Sequence, residues 1–222
     1  MRRYKRFLAD VELRDGSVVT VHCPNPGAMT GTDRPGSTVR CSTSADPRRK
    51  LAHTLEMIRV GRIFVGLHAA RANQLVARAI EEGAIPELRG YAKLRAEVAV
   101  GGRSRLDFEL DQHVRDPRRA FVEVKSVTLA DRHTARFPDA VTTRGRRHLE
   151  ELIGLHERGA RAVMLFVVQR ADCDRVEPAD DVDPAYADAL RAAASAGVEV
   201  LAVRARVLAH GIRLEAALPV LL

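Results

Sequence analysis

The 222-residue sequence contains no tryptophan, and aromatic residues make up only 4% of it. A recognition surface built on aromatic stacking is therefore not expected. The three cysteines, Cys23, Cys41 and Cys173, are odd in number, lie far apart and show no paired spacing. This usage argues against a disulfide framework, a disulfide-linked partner and a zinc knuckle, and it favours a reducing compartment.

Long apolar runs are also missing from the chain. No stretch approaches the roughly 20 apolar residues that a membrane helix needs. Asp10 and Glu12 interrupt the basic N-terminal segment before it could serve as a signal peptide. We therefore expect a cytoplasmic protein that does not associate with membranes, and the sequence leaves the formation of oligomers possible.

The excess of positive charge lies in the first third of the chain. The net charge is +7; residues 1–68 carry 12 Lys and Arg against 6 Asp and Glu, whereas residues 69–222 carry 24 against 23. A basic patch on a small module is typical of a protein that binds a polyanion, although a generic solubilising surface has the same composition.

Short strand-like segments recur along the first third: residues 7–13, 17–23, 38–43 and 63–67. Asp15-Gly16 predicts a tight hairpin turn, and residues 50–60 are compatible with either a strand or a helix. Five strands in about 65 residues predict a small closed β-barrel of the OB type, whose open face commonly binds nucleic acid strands. Its start and one loop carry Arg2 and six further basic side chains: Arg3, Lys5, Arg6, Arg48, Arg49 and Lys50.

The spacing of the apolar residues changes after His68. Apolar residues at helical spacing over 69–83 predict a helix that ends at Gly83, with a domain boundary near His68. A strand over residues 91–100 is expected next, with Glu97 on its polar side, and then a turn at Gly101–Gly102.

Two alternating segments, residues 104–110 and 120–126, predict a β-hairpin with a polar turn between them. In the first segment, three apolar and three charged side chains face opposite ways: Leu106, Phe108 and Leu110 against Arg105, Asp107 and Glu109. In the second, Glu123 and Lys125 share the polar face. The hairpin therefore brings Asp107 and Glu123 together on one face of the sheet, with Lys125 beside them.

This trio has a chemical use. Two carboxylates can share one Mg²⁺ or Mn²⁺ ion, and a lysine can orient an attacking water or offset charge on a phosphate. An Asp followed by Glu-x-Lys on the next strand resembles the core of the PD-(D/E)xK nuclease superfamily. By itself the pattern also fits a solvated face or a surface ion pair.

The remaining segments alternate between helix and strand. A basic loop over residues 131–147 leads into a helix that ends at His156 and is capped near its start by Thr143. Its first turns carry three basic side chains, which either contact phosphate or merely solvate the helix: Arg144, Arg147 and His148.

Residues 162–168 are almost continuously apolar, as expected for a strand buried on both sides. Residues 172–188 carry seven carboxylates against one arginine and predict a solvated acidic loop. A helix over 184–196, a strand over 198–203 and an apolar tail over 207–222 then complete an α/β sandwich with the hairpin at the centre of its sheet.

Several segments match a known family in order, among them Arg-Tyr-Lys-Arg-Phe-Leu-Ala-Asp-Val at 3–11, His-Cys-Pro-Asn at 22–25, Ser-Arg-Leu-Asp-Phe at 104–108, Val-Glu-Val-Lys-Ser-Val-Thr-Leu at 122–129 and Phe-Pro-Asp-Ala-Val-Thr at 137–142. With them the chain resembles the sugar fermentation stimulation protein A (SfsA) family along nearly its whole length. The resemblance implies an OB-like DNA-binding domain over residues 1–68 and a PD-(D/E)xK nuclease-like α/β domain with a mixed sheet over residues 69–222. It also implies a link to the regulation of sugar utilisation.

The resemblance also implies roles for particular residues. Asp107, Glu123 and Lys125 fall on the nuclease triad, with the two acids as metal ligands. Asn73 stands where relatives in the wider superfamily often carry a carboxylate, and Glu97 is expected to supply a further metal ligand from the neighbouring strand. DNA contacts are expected from the six basic residues of the first domain and from four in the second: Arg105, Arg144, Arg147 and His148.

Three functional hypotheses follow. The first is a DNA-binding protein with a phosphodiesterase site that depends on Mg²⁺ or Mn²⁺. The second is a regulatory protein that uses a nuclease fold only to bind DNA. The third is an enzyme or sensor that acts on a small phosphorylated sugar, with arginines gripping the phosphate.

Overall fold

The computed structural model describes residues 1–101 and 104–222. Gly102, one half of the predicted Gly101–Gly102 turn, lies outside the described residues. The chain forms two large β-sheets, one from the first 66 residues and one from the remainder, with a small third sheet between strands of the C-terminal part.

Six strands build the N-terminal sheet: β1 (Arg2–Tyr4), β2 (Leu8–Glu12), β3 (Val18–His22), β4 (Val39–Thr43), β5 (His53–Val60) and β6 (Ile63–Gly66). Their order is β1-β2-β3-β5-β4, with β6 paired to β5. The ambiguous segment over residues 50–60 is a strand because it pairs with β3, β4 and β6 and buries Leu55 and Ile58. Five strands were expected; the sixth, β1, is three residues long and polar, so alternation does not reveal it.

The sequence predicts that this sheet closes into a barrel. No strand pairing among the described residues closes it, since β1 and β4 lie at the two ends of the strand order. The sheet nevertheless has its own core, since Ala9, Val21, Leu55, Ile58 and Val65 are all fully buried in one cluster.

The rest of the chain contains three helices and nine strands among the described residues: α1 (Ala69–Glu81), β7 (Tyr91–Val100), β8 (Ser104–His113), β9 (Ala120–Val127), β10 (Ala130–Asp131), β11 (Thr134–Phe137), α2 (Thr143–Glu157), β12 (Arg161–Val168), β13 (Arg175–Pro178), α3 (Pro184–Ser195), β14 (Glu199–Leu208) and β15 (Gly211–Leu218). A single-turn 3-10 helix, Pro86–Leu88, follows α1.

Six of these strands form a mixed sheet in the order β15-β14-β12-β9-β8-β7. β12 runs parallel to both β9 and β14, and the other pairs are antiparallel. The expected mixed sheet is therefore confirmed, and β9 lies near its centre. The apolar tail supplies the edge strand β15, which pairs with β14.

Helices cover both faces of this sheet. α2 and α3 pack on one face, where Leu149, Leu152 and Leu190 are buried, and α1 packs on the other through Val76 and Ile80. The side chains of β12 divide between the two cores, with Met164 in the first and Leu165 in the second. This confirms the strand predicted to be buried on both sides.

Two segments predicted as loops contain strands instead. β11 lies in the expected basic loop and β13 in the expected acidic loop, and the two pair in parallel. The reason is tertiary: Ala135 and Val176 are buried in the core beneath α2 and α3. Buried Asp183 is not solvated either, because its carboxylate caps α3 at the backbone N–H of Tyr186.

Within the described ranges, 1–101 and 104–222, no helix has the length and apolar character that crossing a membrane would require. Cys23, Cys41 and Cys173 are all free thiols, in agreement with the expectation of no disulfide framework.

Candidate active site

A cleft of about 420 Å³ lies where the N-terminal sheet meets the large sheet. Its walls come from the loop over residues 25–27, from α1, from β8 and β9, from residues 137–142 and from the first turns of α2. Asp107, Glu123 and Lys125 all line this one cleft. The trio predicted from the hairpin therefore shares a single concave site.

Asp107 lies where strands β8 and β9 separate. The two strands pair over Phe108–Leu110 and Ala120–Val122. Beyond this pairing, the Asp107 carboxylate takes the place of a backbone partner: Oδ2 accepts a hydrogen bond from the backbone N–H of Val124 at 2.7 Å, and Oδ1 accepts one from Asn73 Nδ2 at 2.6 Å. The side chain thus connects α1 to β9.

The expected alternation along β8 is wrong at this point. Leu106 packs in the core beneath α2 and α3, whereas Phe108 and Leu110 pack in the core beneath α1. Strict alternation would have placed all three on one face. The strand therefore exchanges its apolar face at Asp107, which is also where its ladder with β9 stops.

Glu123 is the most deeply buried charge of the cleft, with 3% of its surface exposed. Its Oε1 accepts hydrogen bonds from Lys125 Nζ at 2.5 Å and from His148 Nδ1. Its Oε2 is buried and has no hydrogen-bond partner among the described residues. A buried carboxylate oxygen without a partner is costly, so this atom is suited to a ligand that the cleft would receive.

The two carboxylates have opposite pKa shifts. Burial, and next the charge of Glu123, raise the pKa of Asp107 to about 6. Burial also opposes ionisation of Glu123, but the hydrogen bond from His148 and the charge of Lys125 outweigh it, so the pKa of Glu123 lies below its ordinary value. Two acids that disfavour each other's charge in a buried site are stabilised by a shared cation.

α2 brings two basic residues to the cleft. The helix starts here because the Thr142 hydroxyl caps it, accepting from the backbone N–H of Gly145 at 2.9 Å; the expected cap, Thr143, lies one residue further on. Arg144 and His148 lie one turn apart and line the cleft, and Arg144 Nε donates to His148 Nε2 at 3.3 Å. His148 is 3% exposed, so it is a buried partner of Glu123 rather than a free surface cation.

Three expected site residues of the C-terminal part lie elsewhere. Glu97 is exposed on edge strand β7, adopts a left-handed conformation with φ 54° and does not line the cleft, so the structure gives no support to its expected role as a metal ligand. Arg105 and Arg147 are exposed and also lie outside the cleft lining.

The six basic residues of the N-terminal part divide into two groups. Arg3 is not free for a phosphate, because its guanidinium donates to the backbone carbonyls of Arg6, Asn25, Gly27 and Ala28 at 2.8–3.0 Å. The other five have exposed side chains: Lys5, Arg6, Arg48, Arg49 and Lys50. Two of them also make local contacts, Arg48 with Asp46 and Arg49 with Thr54.

Sequence reasoning missed the contribution of Asp139. Its Oδ2 accepts a hydrogen bond from the backbone N–H of Met29, 110 residues away, at 3.1 Å. A Cβ on Gly27 would lie 2.2 Å from both Asp139 carboxylate oxygens, so only glycine allows this approach. The segments around Gly27 and Asp139 were visible as a turn and a loop, but nothing in them indicates that they meet across the cleft.

No group of three or more His, Cys, Asp or Glu side chains within metal-binding distance of one another occurs in the described part of the chain. Any metal bound in the cleft would therefore take its remaining ligands from backbone oxygens, water or substrate, as Mg²⁺ usually does.

Comparison with known proteins places both parts of the chain. The family model described as "SfsA N-terminal OB domain" matches residues 1–67, and the one described as "Sugar fermentation stimulation protein RE domain" matches residues 70–211. A sugar fermentation stimulation protein homolog of Geobacter metallireducens is 50% identical over 223 residues, covering 100% of this chain and 95% of the relative. One from Halorhodospira halophila is 52% identical over 223 residues, covering 99% and 92%.

A solved structure is also similar. The structure of Pyrococcus furiosus SfsA in complex with Ca²⁺ matches with a TM-score of 0.91 and 28% identity, covering 100% of this chain and 94% of that chain.

Proposed function

The chain belongs to the sugar fermentation stimulation protein family, and on that basis, together with the cleft, we propose that it is a DNA-binding protein with a phosphodiesterase site that depends on a divalent cation. The observation that carries the proposal is the convergence of Asp107, Glu123 and Lys125 in one cleft, with Glu123 Oε2 buried and unpartnered. The same trio on adjacent strands of a mixed sheet supports a PD-(D/E)xK nuclease-like domain over residues 69–222 and an OB-like domain over residues 1–68.

Asp107 and Glu123 would hold the cation, with Mg²⁺ or Mn²⁺ as the candidates. Carboxylate oxygens suit these ions as well as Ca²⁺, the ion in the complex of the P. furiosus relative. Bound there, the ion would supply Lewis-acid polarisation of the scissile phosphate.

The side chains around the two acids have separate tasks. The Lys125 ammonium donates to Glu123 Oε1, and its other two N–H groups can donate to a phosphate oxygen or an attacking water. Arg144 lies at the mouth of the same cleft and can contact the backbone of a strand that enters it. The exposed basic residues of the N-terminal part would contribute affinity that does not depend on sequence: Lys5, Arg6, Arg48, Arg49 and Lys50.

Cleavage assays on plasmid and on single- and double-stranded oligonucleotides, in Mg²⁺ and in Mn²⁺, test the proposal. We expect the wild type to cut, and Asp107→Ala and Lys125→Ala to abolish cutting. Asp131→Ala removes an exposed carboxylate of β10 and serves as the matched control. A wild type that cuts no substrate with either metal would contradict the enzymatic part of the proposal.

A second candidate is a regulatory protein that binds DNA without cutting it. One observation favours it: both Asp107 oxygens already accept hydrogen bonds, and Asn73 stands where a third acid would strengthen the site. This candidate predicts DNA binding that weakens steeply with salt and is unchanged by Asp107→Ala. A role in the regulation of sugar utilisation, which the names of the relatives suggest, is compatible with either candidate.

A further inference from the structure

We propose that His148 is a positioning residue that fixes the Glu123 carboxylate for the cation. The inference rests on the metal site proposed above. It assigns to His148 a role different from the DNA contact expected from its place at the start of α2.

The geometry starts from a buried pair. His148 and Glu123 are each 3% exposed, and the imidazole Nδ1 is hydrogen-bonded to Glu123 Oε1. Lys125 Nζ lies 2.5 Å from the same Oε1, so one carboxylate oxygen has two donors and the other, Oε2, has none. A carboxylate held in this way cannot exchange its two oxygens by rotation without breaking both bonds.

The partners of the ring determine its tautomer. Nε2 lies 3.3 Å from Arg144 Nε, which is always a donor, so Nε2 must be the acceptor and Nδ1 must carry the hydrogen. The hydrogen-bond geometry therefore assigns an Nδ1–H that donates to Glu123 Oε1.

The spacing of α2 makes this arrangement possible. Arg144 and His148 are four residues apart and lie on the same face of the helix. The exposed Arg144 holds the ring, the ring holds Oε1, and Oε2 is left for a cation. Outer partners that orient a metal ligand in this way typically change metal affinity 10–100-fold when they are removed.

The test measures the affinity for Mn²⁺ by calorimetry in four variants. His148→Ala should weaken binding at least about 10-fold. His148→Asn should restore most of it, because the Asn amide places an N–H donor near the position of Nδ1. Arg144→Ala should weaken binding to a smaller extent, and Arg147→Ala, which removes an exposed arginine from the same helix, should leave it unchanged.

A wild type that binds no Mn²⁺ would contradict the metal site itself. A wild type that binds Mn²⁺ no better than His148→Ala would contradict only the role of His148. Equal losses in His148→Ala and His148→Asn would mean that the ring acts through packing, and would also overturn the proposal.

Nitrogen-15 NMR of the imidazole gives a readout that does not depend on metal or activity. In the metal-free protein we expect Nδ1 of His148 to carry the hydrogen that is donated to Glu123. A hydrogen on Nε2 alone, which would leave Glu123 without this donor, would refute the inference.

Discussion

The contact between Gly27 and Asp139 predicts a strongly non-additive pair of substitutions. In Gly27→Ala, the new Cβ would lie 2.2 Å from both carboxylate oxygens of Asp139, so the carboxylate must move and lose its bond to the Met29 N–H. Overpacking of this kind costs about 2 kcal/mol. Asp139→Ala alone loses the same charged hydrogen bond and should also cost about 2 kcal/mol.

The double variant should cost about 2 kcal/mol rather than about 4, since Asp139→Ala removes the obstacle that the new methyl group meets. Gly27 does not occupy the left-handed region, so alanine adds no backbone strain there. In the Asp139→Ala background, Gly27→Ala should therefore be neutral or stabilise by up to about 1 kcal/mol through the unfolded state.

Urea unfolding monitored by circular dichroism measures the free energy of unfolding of the wild type, the two single variants and the double variant. Gly211→Ala is the matched control, because a Cβ at that glycine has nothing within 4 Å; we expect a change within about 0.5 kcal/mol. Additive costs for Gly27→Ala and Asp139→Ala would refute the reasoning, because they would mean that the two residues do not meet.

Three further predictions concern charged groups. Arg3→Lys should destabilise the protein by about 2 kcal/mol, nearly as much as Arg3→Ala, because one ammonium cannot replace a guanidinium that donates to four carbonyls. Thermal unfolding measures the loss, and an Arg3→Lys variant as stable as the wild type would contradict this prediction. Replacing both Arg95 and Arg119 with alanine should lower the free energy of unfolding by about 3 kcal/mol, because Glu109, which is 1% exposed, then loses its cationic partners. Urea unfolding measures this change, and a loss under about 1 kcal/mol would contradict the prediction. Mn²⁺ at about 100 times its Kd should stabilise the wild type by about 2.7 kcal/mol in a thermal-shift assay and should not stabilise Asp107→Ala; equal shifts would place the ion elsewhere.

Local patterns were sufficient for much of the fold. The periodicity of α1 and α2 and the apolar run of β12 depend on neighbours within a few residues, and each predicted its element to within one or two positions. The Glu-x-Lys spacing on β9 likewise placed Glu123 and Lys125 on one face, because side chains two apart share a face wherever the strand is regular.

Local patterns failed where contacts between distant segments of the chain determine the structure. The β11–β13 pairing was missed because polar and proline-broken segments become strands only when a core anchors them, here through Ala135 and Val176. Alternation along β8 failed at Asp107, because a side chain there replaces a backbone partner and turns the strand.

Residue type and spacing are local properties, and they were enough to indicate which residues can do chemistry and which elements carry them. The use of each charge depends instead on how the folded segments pack. The packing turned Arg3 inward onto backbone carbonyls, left Glu97 on an exposed edge and brought His148 to Glu123 from 25 residues away. These outcomes depend on contacts between segments far apart in the chain, and such contacts form only once the sheets and helices have packed.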